Sequence, residues 1–212
     1  MHVNRPIVRT AGVFVAAVAA VAFAGGCSGS GATETTAATA TGSPTATADH
    51  NQADVTFAQN MIMHHRQAVQ MAELAETRAS DPQVKTLATR IKAAQAPEIQ
   101  QMTTWLNQWG APVPSPSPNG HGMHGGTPSA SPGSASPGMM TDQDMAALEN
   151  ATGNEFDKMF LQMMISHHQG AVQEATTEIE QGQNRDAKSL AEKIKSDQTA
   201  EISQMQNLLK GK

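Results

Sequence analysis

The stretch "FAQNMIMHHRQAVQMA", Phe57–Ala72, returns 103 residues later as "FLQMMISHHQGAVQEA", Phe160–Ala175. Aligning residues 54–106 with 157–209 needs no gap and leaves 22 of 53 positions identical. The identities gather in the His-His segments and in a second pair, "LATRIKAAQAPEIQQM" (Leu87–Met102) and "LAEKIKSDQTAEISQM" (Leu190–Met205). Between them the sequences diverge, as a turn does. No segment shows sustained period-two alternation, and the apolar residues recur at helical spacing. Each repeat therefore reads as a helical hairpin that cannot cover its apolar face alone. Two such hairpins packed together give an all-α fold, a four-helix bundle.

Local chemistry supports the helices. Asp81-Pro82 fits an N-cap followed by proline at the first helical position, and Gly182 with Asn184 serves the second hairpin. Thr141 with Asp144 opens a short extra helix, which Gly153 is expected to end. Pro97 lies inside the second helix of the first hairpin and is expected to kink it; Ala200 at the equivalent position is not.

Outside the repeats the chain changes character. Residues 1–26 have the pattern of an export signal, with Arg5 and Arg9 before an apolar run from Ala11 to Ala24. That run is short of the roughly 20 residues that span a bilayer. It ends at "AGGC", which resembles a bacterial lipobox with Cys27, the sole cysteine, as the lipid-bearing residue. Residues 28–50 read as a flexible tether, 51–109 as the first hairpin, 110–140 as a disordered Pro/Gly/Ser-rich linker, and 141–210 as the short helix and second hairpin. Without residues 1–26 the chain carries 12 basic and 19 acidic residues. It lacks the clustered Lys and Arg that nucleic acid attracts. The same region has 12 Met and 7 His but only five aromatics and no Tyr, a balance that favours sulfur and imidazole chemistry.

With about 100° between successive side chains, Phe57, Met61, His64, Ala68 and Ala72 share one side of their helix, with Ile62, His65 and Val69 beside them. The apolar side thus contains both histidines. The second repeat matches with Phe160, Met164, His167, His168, Ala171 and Val172. On the partner helices Glu98 lies among Leu87, Ile91, Met102 and Trp105, and Glu201 among Leu190, Ile194, Met205 and Leu208. A carboxylate in an apolar stripe must be paired, protonated or bound to metal. One inward histidine is commonly a satisfied core residue. Two adjacent pairs, each with Met three residues before and Glu on the partner helix, point to a metal site. Glu98 and Glu201 serve either as ligands or as hydrogen-bond partners that orient the histidines, and Met61, Met102, Met164 and Met205 either as ligands or as core. Met71, Met159 and Met163 read as core filler. Within the linker, "NGHGMHGG" offers His121, Met123 and His124 as a further, weaker donor cluster. Thioether with imidazole suits Cu(I) better than Mg, Ca or Mn. Structural zinc usually uses Cys, and no Glu-x-x-His of the di-iron bundles occurs.

Each His-His segment is followed by I-K-x-x-Q-x-x-E-I-x-x-M, and together these motifs resemble the family known as domain of unknown function 305, over roughly residues 51–209. The resemblance implies a ferritin-like four-helix bundle, often exported, with some members implicated in copper binding and resistance outside the cytoplasm. The signature falls on Met61, His64 and His65 and on Met164, His167 and His168. The partner-helix pattern falls on Gln95, Glu98 and Met102 and on Gln198, Glu201 and Met205. Two departures are the long insert between the repeats and Met63, where the second repeat has Ser166.

The expectation is a lipoprotein anchored on the extracytoplasmic face of the cell membrane. It binds copper, as Cu(I), or another transition metal, and sequesters it or exchanges it with a donor or acceptor protein. The alternatives are a ferritin-like metal-dependent oxidase and a metal-free structural or interaction lipoprotein. Ser or Cys hydrolase chemistry lacks its nucleophile, base and orienting group.

Overall fold

The structure, a computed structural model, describes residues 49–115 and 136–212. The expected signal segment, Cys27, nearly all of the tether and the His121–His124 cluster lie outside the described residues. The described residues form five helices: α1 (Gln52–Arg78), α2 (Pro82–Gln108), α3 (Asp142–Asn150), α4 (Gly153–Gln181) and α5 (Arg185–Lys210). No strand occurs among the described residues, only an isolated bridge between Ala79 and Gly153. None of the described helices is long and apolar enough to cross a membrane.

The helix starts are chemically explicit. Asn51 and Asp54 form a capping box at α1, where two otherwise orphaned amides are satisfied reciprocally. Asp81 Oδ1 accepts from the Gln83 amide at 2.7 Å, with Pro82 in the first turn of α2. Thr141 and Asp144 make the second capping box, at α3, and Asn184 accepts from the amides of Asp186 and Ala187 at α5.

Two glycines act differently from expectation. α3 ends at Asn150 with Ala151 extended beyond it, and Gly153 is instead the first residue of α4, with φ of +63°. A left-handed residue is needed where the chain turns from one helix into the next, and glycine adopts it without a Cβ clash. Gly182 has an extended backbone, so it is not a left-handed cap; a Cβ there would fall 2.2 Å from Glu178 Oε1. α2 runs unbroken through Pro97, which is exposed, so the hydrogen bond the ring removes is lost on the solvent side.

α1 packs on α2 and α4 on α5 within the hairpins, and α1 against α4 joins them, while α2 and α5 scarcely meet. The seam between hairpins is therefore made by the two His-bearing helices. One apolar cluster combines the first part of α1 with the end of α2, the end of α4 and the start of α5, from Phe57 and Met61 to Trp105, Ala175 and Ile194. The other takes the opposite ends, including Met71, Leu87, Phe156, Phe160, Met164 and Met205. Between them lies a buried polar layer of His64, His65, Gln95, Glu98, His167, His168 and Gln198.

The hairpins also clasp each other. Asp54 of α1 accepts from the amides of Gln183 and Asn184 in the α4–α5 turn, at 3.0 and 2.9 Å. Its repeat equivalent, Asp157 of α4, accepts from the amide and hydroxyl of Ser80 and the amide of Asp81 in the α1–α2 turn. Both carboxylates are fully buried, and hydrogen bonds to ionised groups are the stronger class.

Candidate metal centre

The four histidines of α1 and α4 meet at the seam. His64 and His167 lie edge to face with ring centroids 4.5 Å apart, and the His167 and His168 rings are 6.3 Å apart. Helical spacing alone puts each pair on its apolar face; antiparallel packing of α1 on α4 then brings the two pairs to one level.

The second histidine of each pair is held by the partner helix. His65 Nε2 donates to Glu98 Oε2 at 2.8 Å, and His168 Nε2 donates to Glu201 Oε2 at 2.7 Å. The carboxylates hold the Nε2 side of each ring, and both Nδ1 atoms are buried without a hydrogen-bond partner among the described residues. Glu98 also takes Lys193 Nζ at 2.8 Å. Burial pushes Glu98 upward, but the His65 and Lys193 hydrogen bonds outweigh it and hold the carboxyl below its usual range. Glu201 is more open, with a side chain 21% exposed.

The first histidine of each pair has a different environment. His64 Nε2 donates to the Pro137 carbonyl at 2.9 Å and lies 3.8 Å from Glu174 Oε1. Neither ring nitrogen of His167 has a hydrogen-bond partner among the described residues. Burial, and then the neighbouring imidazoles, push His64 down to about 4 and His167 well below its usual value. Burial also lowers His65, against the opposing pull of Glu98. These imidazoles are neutral at physiological pH, the form in which histidine binds metal.

Met61 and Met102 border the polar layer in one apolar cluster and Met164 and Met205 in the other, all fully buried. Gln95 and Gln198 lie inside the layer, each with an Oε1 that has no hydrogen-bond partner among the described residues. Met71 is core; Met159 and Met163 are partly buried against it. Among the described residues no three His, Cys, Asp or Glu groups converge tightly enough on one point to hold an ion as they stand.

Sequence reasoning missed Glu174. Its side chain is 9% exposed, neither oxygen has a hydrogen-bond partner of good geometry among the described residues, and burial pushes its carboxyl up to about 7 against a smaller lowering by a hydrogen bond to Ser136. The signal was available, since Glu174 follows His167 by seven residues and so shares its helix face. Also missed was the strap Ser136–Met140. Gln67 grips it at both the amide and the carbonyl of Met140, at 2.7 and 2.9 Å. A Cβ on Gly170 would fall 1.7 Å from the Pro137 carbonyl oxygen, so glycine there is what lets the strap lie on α4.

Comparison with known proteins places this arrangement. No curated protein matches the chain. Among solved structures, a DUF305 protein of Streptomyces coelicolor is 34% identical, with a TM-score of 0.64 over 75% of this chain and 93% of that one. A DUF305 fragment from Deinococcus radiodurans is 29% identical, with a TM-score of 0.64 over 76% and 98%. CopM in its Cu(II)-bound form is 34% identical, with a TM-score of 0.60 over 74% and 96%. CopM is also known in Cu(I)-bound and Ag-bound forms. The sequence profile described as "Domain of unknown function (DUF305)" matches residues 54–209, which takes in both hairpins and the whole histidine layer, and the chain belongs to the DUF305 family.

Proposed function

We propose that this protein binds copper in the polar layer of its bundle, outside the cytoplasm, for sequestration or transfer. The observation that carries the reading is the meeting of two histidine pairs, five of whose eight buried ring nitrogens lack a hydrogen-bond partner among the described residues. An unsatisfied buried polar group costs about 1–3 kcal/mol, and a bound ion offsets several at once. The donor set fits. His64, His65 and His167 supply neutral imidazoles, His168 supplies a fourth ring, and Met61, Met102, Met164 and Met205 offer thioethers at the layer's two apolar borders. Imidazole with thioether matches copper and silver. Glu98 and Glu201 act through the histidines they hold, orienting the rings and raising their basicity. The copper- and silver-bound forms of CopM support the same assignment.

The leader and Cys27 extend the proposal to a lipid anchor on the extracytoplasmic face. There, ions reach the bundle from a donor protein or through His121, Met123 and His124. The test is metal analysis of protein purified from copper-supplemented cells, beside a variant with all four layer histidines changed to Ala. The wild type is expected to retain copper and the variant to lose it while keeping its helical circular dichroism. Equal copper in both, or no anaerobic Cu(I) binding by the wild type, would sink the reading.

A further inference from the structure

A cleft of about 580 Å³ opens between α1 and α4. Thr56, Asn60, Gln173 and Thr177 contribute polar walls, Pro137 reaches it from the strap, and Glu174 belongs to its lining. Glu174 faces two ways. One side meets this cleft; on the other, Oε1 lies 3.8 Å from His64 Nε2, inside the layer. Its side chain is nine-tenths buried, and beyond a weak pull from Ser136 neither oxygen has a hydrogen-bond partner of good geometry among the described residues. A buried carboxylate without a partner is costly, and nothing in the packing of α4 requires one here. The equivalent position in the first repeat is Met71, fully buried in apolar core.

We propose that Glu174 is a metal ligand, that it receives the ion from the α1–α4 cleft and completes the site with His64 and His167, and that it makes this half of the layer selective for Cu(II). The inference rests on the reading that the layer binds copper. Donors bound to one ion at roughly 2 Å lie about 3 Å apart, so a small rotation of Glu174 closes the 3.8 Å gap. His64 and His167 pack edge to face at 4.5 Å between centroids, close enough for ring rotation to bring a nitrogen of each onto the same ion. Coordination at His64 Nε2 shifts the ring proton to the unpartnered Nδ1 and exchanges the Pro137 carbonyl for the metal, which loosens the strap over the cleft. A carboxylate oxygen with two imidazoles suits Cu(II), whereas the thioethers elsewhere suit Cu(I) and Ag(I). The two repeats thus differ in the hardness of the donor they carry seven residues after the first histidine.

The test compares the full chain with its Glu174→Gln and Glu174→Met variants, using Cu(II) and Ag(I) as separate probes. Titration gives affinity, stopped flow gives association rate, and electron paramagnetic resonance reads the ligands of bound Cu(II). Glu174→Gln should lower Cu(II) affinity about tenfold or more, slow its association and change the spectrum, with Ag(I) affinity within about threefold of wild type. Glu174→Met should strengthen Ag(I) binding at the expense of Cu(II). Removal of a buried and weakly held carboxylate should also raise the apo melting temperature, so loss of Cu(II) affinity is separable from misfolding. If both variants keep wild-type Cu(II) affinity, rate and spectrum while the four-histidine variant binds nothing, this inference falls and the histidine site stands. If the wild type binds neither ion, both fall.

Discussion

His65 and His168 each give Nε2–H to a glutamate of the neighbouring helix, yet the two glutamates are not equally replaceable. Glu98 is buried and also holds Lys193, whereas the Glu201 side chain is 21% exposed. Truncating Glu98 strands the His65 donor in the interior, an expected cost of about 1–3 kcal/mol, while the Lys193 contact, over half exposed on the lysine side, adds little. Glu98→Ala should therefore lower the urea midpoint clearly more than Glu201→Ala, where water can take over. Both should weaken copper binding about 10- to 100-fold by freeing their histidines, measured by competition with a chelator. Equal stability loss in the two variants would contradict the asymmetry.

At the level of elements, each hairpin is fastened to the turn of the other by one aspartate, Asp54 or Asp157. The two fasteners differ because α4 adds Glu178 beside Asp54, where the first repeat has Ala75. Burial, and then the hydrogen bond to Asp54, push Glu178 up to about 8 from the usual 4.5. Asp54 is held below its usual range: burial raises it, but the hydrogen bonds from Glu178 and the amides of Asn51, Asn184 and Gln183 outweigh that. Glu178 thus binds its proton more tightly in the folded than in the unfolded chain. Its contribution to stability is complete below pH 4.5 and is lost as pH rises through 8, with a slope of at most about 1.4 kcal/mol per pH unit. Glu178→Gln keeps a donor toward Asp54 at every pH. The variant should melt close to wild type at pH 5 and increasingly above it from pH 6 to 9. Parallel melting profiles across that range would show that the pair does not share a proton.

The described residues form a bundle whose apolar core is interrupted at mid-height by a layer of histidine, glutamine and glutamate. Such a layer weakens the apo protein, because several of its nitrogens and oxygens are desolvated without compensation. An ion that binds only the folded chain stabilises it by mass action, about 2.7 kcal/mol at a free concentration one hundred times Kd. Anaerobic Cu(I) or Ag(I) should thus raise the melting temperature in proportion to the logarithm of free metal, and Mg should not. A melting temperature indifferent to Ag(I) would mean that the layer is structural.

The repeated His-His motif, the helical spacing and the caps at Asp81, Thr141 and Asn184 determined the four long helices, the short α3 and the inward aim of the histidines, because these depend on neighbours within a few residues. The lone carboxylates Glu98 and Glu201 were legible for the same reason, as charges out of place on an apolar face. Only the tertiary structure decided that the two histidine pairs meet at one level, that each glutamate takes the second histidine of its pair, and that Pro137 caps His64. It alone placed Glu174 between the layer and an open cleft. Those facts are set by the crossing of α1 and α4 and by chain segments 33 to 73 residues apart in sequence, distances over which no periodicity carries information.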